Sequence, residues 1–235
     1  MSEIEKDKTT VTETLEIVEP DVKITTKYHC SDEKTGIQAL ERKTEPMKPE
    51  RIEKKENNYT RHGTQTLIAS RSVSTGKIDT YVIGDTRKEE DYLEHVKNIY
   101  KTDVNSKHVI ICDQLNTHKS ASLVEYIADL EGFKYNLGIK GKEGILKSME
   151  TRMQFLETKE HIISFIFLPK HTSWLNQIEN WFGLLERRVL KRGVFVSKED
   201  LKNKIIKFIE YYNNYYAKPY IWVKSAKSIL DKFTS

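Results

Sequence analysis

The sequence predicts an α/β fold, a mixed five-stranded sheet flanked by helices. Three observations predict it. A turn signal, Val73-Ser-Thr-Gly76, joins two β-rich runs and marks an antiparallel hairpin. Two continuous apolar runs, His108–Cys112 and Ile162–Leu168, read as buried central strands. Helical patterns then alternate with those strands. An antiparallel meander followed by alternating helices and strands argues for a mixed sheet covered by helices.

Each element follows in order. Residues 1–21 are polar and aperiodic, an acidic tail or linker. Lys23–Cys30 has strand character, and Gly36–Leu40 either continues that strand or pairs with it. Residues 41–58, rich in Lys and Glu with Pro46 and Pro49, are expected to form a surface loop. Strands are expected over 64–72 and 77–84, then a helix over 87–101 with Leu93, Val96 and Ile99 on one stripe. The strand 108–112 precedes a helix over 119–131. Residues 132–160 form a basic insertion: a glycine–lysine loop from Gly138 to Gly144, then a helical stretch 145–158. Pro169 stops the strand 162–168. Ser173 is placed to cap a long helix reaching about Leu190, closed by Gly193. C-terminal helices occupy about 198–235, the first capped by Ser197, with Leu201, Ile205, Phe208, Ile209 and Tyr212 as its apolar stripe. Residues 22–230 make one domain.

Composition excludes several classes. No run approaches the ~20 apolar residues of a membrane span, and the polar start, Met1-Ser-Glu-Ile-Glu-Lys6, is no secretory signal. Two cysteines, Cys30 and Cys112, both beside strand-like runs, predict an intracellular chain with buried thiols rather than a disulfide or zinc framework. Residues 1–21 carry seven acids against two lysines, and 182–235 carry twelve Lys/Arg against five acids. The basic end suits phosphate binding, and it equally suits a solvated helical face.

Three acids stand at informative places. One of the pair Asp32-Glu33 follows the first strand, Asp113 closes a buried strand, and Glu179 lies about six residues into the helix after the last strand. An acid ending a run as apolar as Val109–Cys112 needs a partner or a metal. Adjacent strands would bring the two aspartates side by side, and the helix would lay Glu179 over them. Such carboxylates repel unless cations neutralise them, and oxygen-only ligands suit Mg²⁺ or Mn²⁺. Two such ions suit in-line phosphoryl transfer. By helical arithmetic, Leu175, Ile178, Phe182 and Leu185 form an apolar stripe with Asn176, Glu179 and Gly183 beside it.

Several long motifs in order then carry a resemblance: Asp32-Glu-Lys-Thr-Gly-Ile-Gln-Ala-Leu-Glu-Arg42, Tyr59-Thr-Arg-His-Gly-Thr64, Asp113-Gln-Leu-Asn-Thr-His-Lys119, Pro169-Lys-His-Thr-Ser-Trp-Leu-Asn-Gln-Ile-Glu-Asn-Trp-Phe182 and Arg192-Gly. The chain resembles the bacterial insertion-sequence branch of the Tc/mariner DDE transposases over about residues 22–230, and Gly141–Met149 is similar to one subgroup of that branch. The resemblance implies an RNase H-like (retroviral-integrase-like) fold. It implies Asp32, Asp113 and Glu179 as catalytic ligands of two Mg²⁺ or Mn²⁺ ions, with Asp32 preferred over its neighbour Glu33. It implies cleavage at transposon ends and strand transfer into target DNA at TA, by a homodimer in the bacterial cytoplasm, associated with the nucleoid. Gln114 departs from the family's usual Asn, which bears on a contact beside the metal rather than on a ligand. Family members carry helix-turn-helix domains before the catalytic domain, whereas about twenty acidic residues precede the first strand here. A separate helix-turn-helix segment or polypeptide is therefore the expected partner for end recognition.

Supporting roles remain two-sided. Asn176 and His118 are candidates to brace the metal ligands. Arg61 and His62 either brace them, meet a phosphate or make a turn. Lys119, beside Asn116 and His118 at a helix start, is a candidate for phosphate, as are Lys140 and Lys142 of the glycine–lysine loop, where Lys147 follows. His171 and Trp174 are candidates for DNA, the latter by stacking on an unpaired base. Arg187, Arg188, Lys191 and Arg192 complement a helix C-terminus and are DNA candidates too. Two other readings stand beside the transposase: a truncated, non-enzymatic regulator that binds DNA or full-length transposase, and a nuclease of the same fold that needs no joining step.

Overall fold

The computed structural model describes residues 24–42, 59–133, 136–169 and 176–219. The acidic tail, the loop with Pro46 and Pro49, Ser173 and the end of the C-terminal region lie outside the described residues. The elements run β1 (Thr26–Arg42), β2 (Tyr59–Ser72), β3 (Ile78–Gly84), α1 (Glu89–Lys101), β4 (Lys107–Cys112), α2 (Ala121–Leu130), β5 (Gly138–Ile139), β6 (Glu143–Gly144), α3 (Met149–Leu156), β7 (Ile163–Phe167), α4 (Gln177–Leu185) and α5 (Lys198–Tyr215). A 3₁₀ turn, Asn116–Lys119, precedes α2, and a π-helical turn, Glu186–Leu190, extends α4.

The main sheet has the order β3-β2-β1-β4-β7. Its first three strands are antiparallel, and β4 and β7 are added parallel to β1 on the other side. Each parallel strand returns through helices, as parallel pairing requires. This is the RNase H-like arrangement.

Two cores lie on opposite faces of the sheet. Ile110, Cys112, Ile163, Phe165 and Phe167 pack under α1, α2 and α3 through Val96, Ile99, Leu123, Ile127 and Leu156. Cys30, Ile37, Ala39, Leu67 and Ala69 pack under α4 and α5 through Ile178, Trp181, Leu185, Leu201, Ile205 and Ile209.

β1 is longer than expected because Gly36–Leu40 continues it, and two compensating bulges make that possible. Between Lys34 and Ile37 the β1 chain carries one extra residue, with Gly36 at φ +66°; between Gln38 and Leu40 the extra residue is on β2, with Gly63 at φ +115°. Side chains alternate faces along a strand, so the first bulge turns Ile37 and Ala39 onto the face already used by Cys30.

The helix caps follow the sequence. Ser120, Ser148 and Ser197 accept hydrogen bonds from the backbone N–H groups of Leu123, Thr151 and Asp200. The helix expected over 119–131 begins with the 3₁₀ turn instead, and the glycine–lysine loop pairs with itself as the small β5–β6 hairpin. Helix α4 starts at Gln177, so Glu179 lies in its first turn, not six residues in. Trp181 joins its buried stripe, between Ile178 and Leu185. Among the described residues, no helix is long and apolar enough to cross a membrane.

Candidate active site

Strand register builds the site. On the parallel pair β1–β4, Cys30 stands opposite Ile111 as the last paired couple. Asp32 and Asp113 each come two residues later, so both share the parity of that couple. Neighbouring strands are about 4.8 Å apart, and the two aspartates therefore lie at the same level of adjacent strands, Asp32 within β1 and Asp113 just past the end of β4. Asp32 also pairs with Ala69 on β2, whose side chain belongs to the core under α4. Glu33 pairs with Ile68 and takes the opposite face, toward α1. The two neighbouring acids are thus sorted by the pleat of the strand.

Asp32 is 8 % exposed. Its Oδ1 accepts from the Glu33 backbone N–H at 2.8 Å, and its Oδ2 accepts from Asn176 Nδ2 at 3.3 Å. Burial, then the charges of Glu179, Asp113 and Glu33, push its carboxyl up to about 7 against the single opposing bond from the Glu33 N–H. Asp32 thus feels Asp113 and Glu179 electrostatically, although among the described residues no three His, Cys, Asp or Glu side chains form a closed metal-holding group. Glu179 is exposed at the first turn of α4.

Asn176 immediately precedes α4 and is 1 % exposed. Its Nδ2 donates to the Ser31 carbonyl at 2.9 Å as well as to Asp32, while its Oδ1 is buried without a hydrogen-bond partner among the described residues. An amide oxygen unpaired next to a raised carboxyl, with two further carboxylates in range, is a donor set of hard oxygens that fits a divalent cation.

Asp113 is held by its own turn. Its Oδ1 accepts from the Leu115 N–H at 2.9 Å and lies 2.8 Å from His118 Nδ1. His118, in the 3₁₀ turn, is fully buried, and its Nε2 lies 3.0 Å from Glu33 Oε2. The ring packs on Tyr92 of α1 with centroids 4.1 Å apart. Burial opposes a charged ring, but the hydrogen bond to Asp113 works against it, and the imidazole pKa stands well above its usual value. The bond from His118, against burial, pulls the Asp113 carboxyl below the ordinary carboxylate range. Gln114, where the family usually has Asn, donates to the Leu168 carbonyl at 3.1 Å and ties the end of β4 to the end of β7.

The remaining candidates fall into separate places. Lys119 is buried, within electrostatic reach of Asp113. Lys140 sits between β5 and β6, 3.6 Å from Glu89, with Lys142 exposed nearby. Arg187 and Arg188 are exposed on the π-helical turn, with Lys191 and Arg192 exposed just beyond. His171 and Trp174 lie outside the described residues. Arg61 and His62 are not brought to the carboxylates. Arg61 pairs with Leu40, eight residues up β2 from the partner of Asp32, or about 26 Å at strand rise. It bonds to Tyr59 while His62 pairs with Glu41; the bracing expected of these two is corrected by the length of the hairpin.

Two residues were missed. Glu33, in the sequence only the alternative to Asp32, has a contact of its own on the other face, to His118. Arg42 donates to the Lys191 carbonyl at 2.8 Å and joins the basic group at the end of α4. Its distance of 149 residues in sequence hid it.

Among the solved structures that resemble the chain are the Mos1 mariner paired end complex with Mn (TM-score 0.48, 13 % identity, 78 % of this chain and 48 % of that one), the Mos1 strand transfer complex (0.46, 12 %, 80 % and 47 %) and a pre-cleavage Mos1 transpososome (0.48, 12 %, 78 % and 48 %). The chain spans about half the length of these structures. No curated protein sequence matches it. The family model described as DDE superfamily endonuclease matches residues 27–202, from the first residues of β1 into α5 and across Asp32, Asp113 and Glu179. With that match spanning most of its length, the chain belongs to the DDE superfamily endonuclease family.

Proposed function

We propose that this chain is the catalytic part of a DNA transposase of the Tc/mariner type, in its bacterial insertion-sequence branch, with Asp32, Asp113 and Glu179 as the ligands of two Mg²⁺ or Mn²⁺ ions. One observation carries the reading. Asp32, within β1, and Asp113, just past the end of β4, each lie two residues beyond the last paired couple of these parallel neighbours, and burial, with the charges of Glu179 and Asp113 added to it, raises the Asp32 carboxyl to about 7. Carboxylates arranged to oppose one another's ionisation gain most when cations enter between them. When bound, the ions would activate the attacking water or DNA 3′-hydroxyl and stabilise the leaving oxygen.

The chain's own residues do the rest. Asn176 fixes the angle of Asp32 and anchors the start of α4, which carries Glu179. His118 fixes one oxygen of Asp113. Lys119 adds positive charge beside Asp113, where a phosphate would lie. Lys140 and Lys142, with the basic group after α4, are placed to follow the DNA backbone. Strand transfer at TA and pairing of two chains to join two ends belong to the same proposal and rest on the sequence resemblance.

Nicking of supercoiled plasmid tests it. Wild-type protein with Mn²⁺ or Mg²⁺ should convert plasmid to open circles, and chelator should stop it. Asp32→Asn, Asp113→Asn and Glu179→Gln should each abolish the conversion. If the variants cut as the wild type does, the active-site assignment is wrong. A duplex ending in a free 3′-hydroxyl, offered with plasmid, separates a transposase, which joins it, from a nuclease, which does not.

A further inference from the structure

His118 has a carboxylate by each ring nitrogen: Asp113 Oδ1 stands 2.8 Å from Nδ1, which also meets the Asp113 backbone carbonyl at 3.3 Å, and Glu33 Oε2 stands 3.0 Å from Nε2. Ionised carboxylates only accept hydrogen bonds. Both nitrogens therefore donate, and the ring cannot turn without losing one of the bonds. The Glu33 side chain is 6 % exposed, so the arrangement is built into the fold rather than lying on its surface. Arg87 Nη1 stands 3.7 Å from the other Glu33 oxygen, Oε1. Tyr92 closes the ring's flank.

We infer that Glu33 is a positioning residue for the metal site: through His118 it sets the carboxylate of Asp113. The inference rests on the metal-site reading above. Asp32 and Glu33, consecutive on β1, would then serve the site from the two faces of the sheet, Asp32 directly and Glu33 through the ring. The geometry has a specific consequence. His118 and the Leu115 N–H both engage Asp113 Oδ1, and the carboxylate is thereby held in one orientation. Outer partners of this kind change metal affinity by roughly 10- to 100-fold when lost.

The test is Mn²⁺ binding measured by titration calorimetry on the full chain without DNA, with a thermal melt beside each variant. Glu33→Asp keeps the charge and loses the reach to His118; Glu33→Gln keeps the reach and an acceptor oxygen; Glu33→Ala keeps neither. Affinity should fall roughly 10- to 100-fold in Glu33→Asp and Glu33→Ala and stay near wild type in Glu33→Gln. If Glu33→Ala fails to melt cooperatively, Glu33→Asp decides. A folded Glu33→Asp that binds Mn²⁺ as wild type does, or a Glu33→Gln as weak as Glu33→Asp, overturns the inference. Asp32→Asn and Asp113→Asn serve as the separate control. If they too bind as wild type, the metal site itself is lost; if they fail while Glu33→Asp binds normally, only the role of Glu33 is lost.

Discussion

Asn176 Nδ2 lies 3.3 Å from Asp32 Oδ2 and 2.9 Å from the Ser31 carbonyl, so one side-chain amide fastens the start of α4 to the strand that carries the buried acid. Removing it leaves a buried carbonyl unpaired and frees Asp32 to rotate. Asn176→Ala should cost about 1–3 kcal/mol in urea unfolding. It should also lower plasmid nicking more than a distant substitution of equal cost, such as Ser197→Ala, which loses a helix cap worth about 1 kcal/mol. Equal nicking by the two variants would show that the amide serves stability alone.

The raised carboxyl of Asp32 makes a pH prediction with a definite sign. In the unfolded chain Asp32 ionises near 3.8, and in the fold near 7. Between these values the folded state holds the proton more tightly. Its relative stability therefore declines as pH rises through that window and is lowest above it. Asp32→Asn removes the penalty and should raise the metal-free melting temperature at pH 8 by several degrees, with little change at pH 4. Metal must displace the same proton, so Mn²⁺ affinity of the wild type should fall by about tenfold per pH unit below 7. A pH-independent affinity would remove Asp32 from the ligand set.

His118→Ala takes the cation from between two carboxylates, and the buried Glu33 suffers most. The expected loss is about 3 kcal/mol, less on the side of Asp113 because its side chain is half exposed. For a histidine with raised pKa, the stabilisation is full below the unfolded value of 6.5 and is lost as pH rises through the folded value well above it. For Asp113, whose carboxyl is lowered, it is present above 3.8 and lost as pH falls through the folded value. The gap between wild type and His118→Ala in urea unfolding should therefore be widest between about pH 4 and 6.5 and close at both extremes. A gap that widens toward alkaline pH would contradict a charged His118.

The legibility of this molecule in its sequence followed the range of the interactions involved. The start of helix α5 was readable to the residue, because Ser197 and the spacing of Leu201, Ile205 and Ile209 are local signals. β4 was readable from four apolar residues and a terminal acid. The extent of β1 was not, since Gly36 reads as a break until the bulge shows that it keeps Ile37 on the face of Cys30. The separation of Asp32 from Glu33 needed the pairing with β2, and the bridge from Glu33 to Asp113 joins residues 80 positions apart through a third. Helix α4 was expected to start earlier, because the pattern around Leu175 continues the helical period that Asn176 interrupts as its cap.

The basic residues after α4 bear on a separate part of the proposal, contact with the DNA backbone before any chemistry. Arg187, Arg188, Lys191 and Arg192 are exposed, and Arg42 reaches them from the end of β1 by its bond to the Lys191 carbonyl. Helix-end complementarity accounts for cations in the last turn and for the bond of Arg42 to the Lys191 carbonyl; the proposal adds phosphate contact. Each contact to duplex DNA adds roughly 0.9 to the slope of log affinity against log salt. Replacing Arg187, Arg188 and Arg192 by Gln should thus weaken binding to a random duplex and flatten that slope by about 2–3, with the melting temperature unchanged within a degree or two. Metal binding at Asp32 and Asp113 should be untouched, since the substitutions lie beyond the far end of α4 from Asn176. An unaltered salt slope would return these residues to an ordinary solvated helix end.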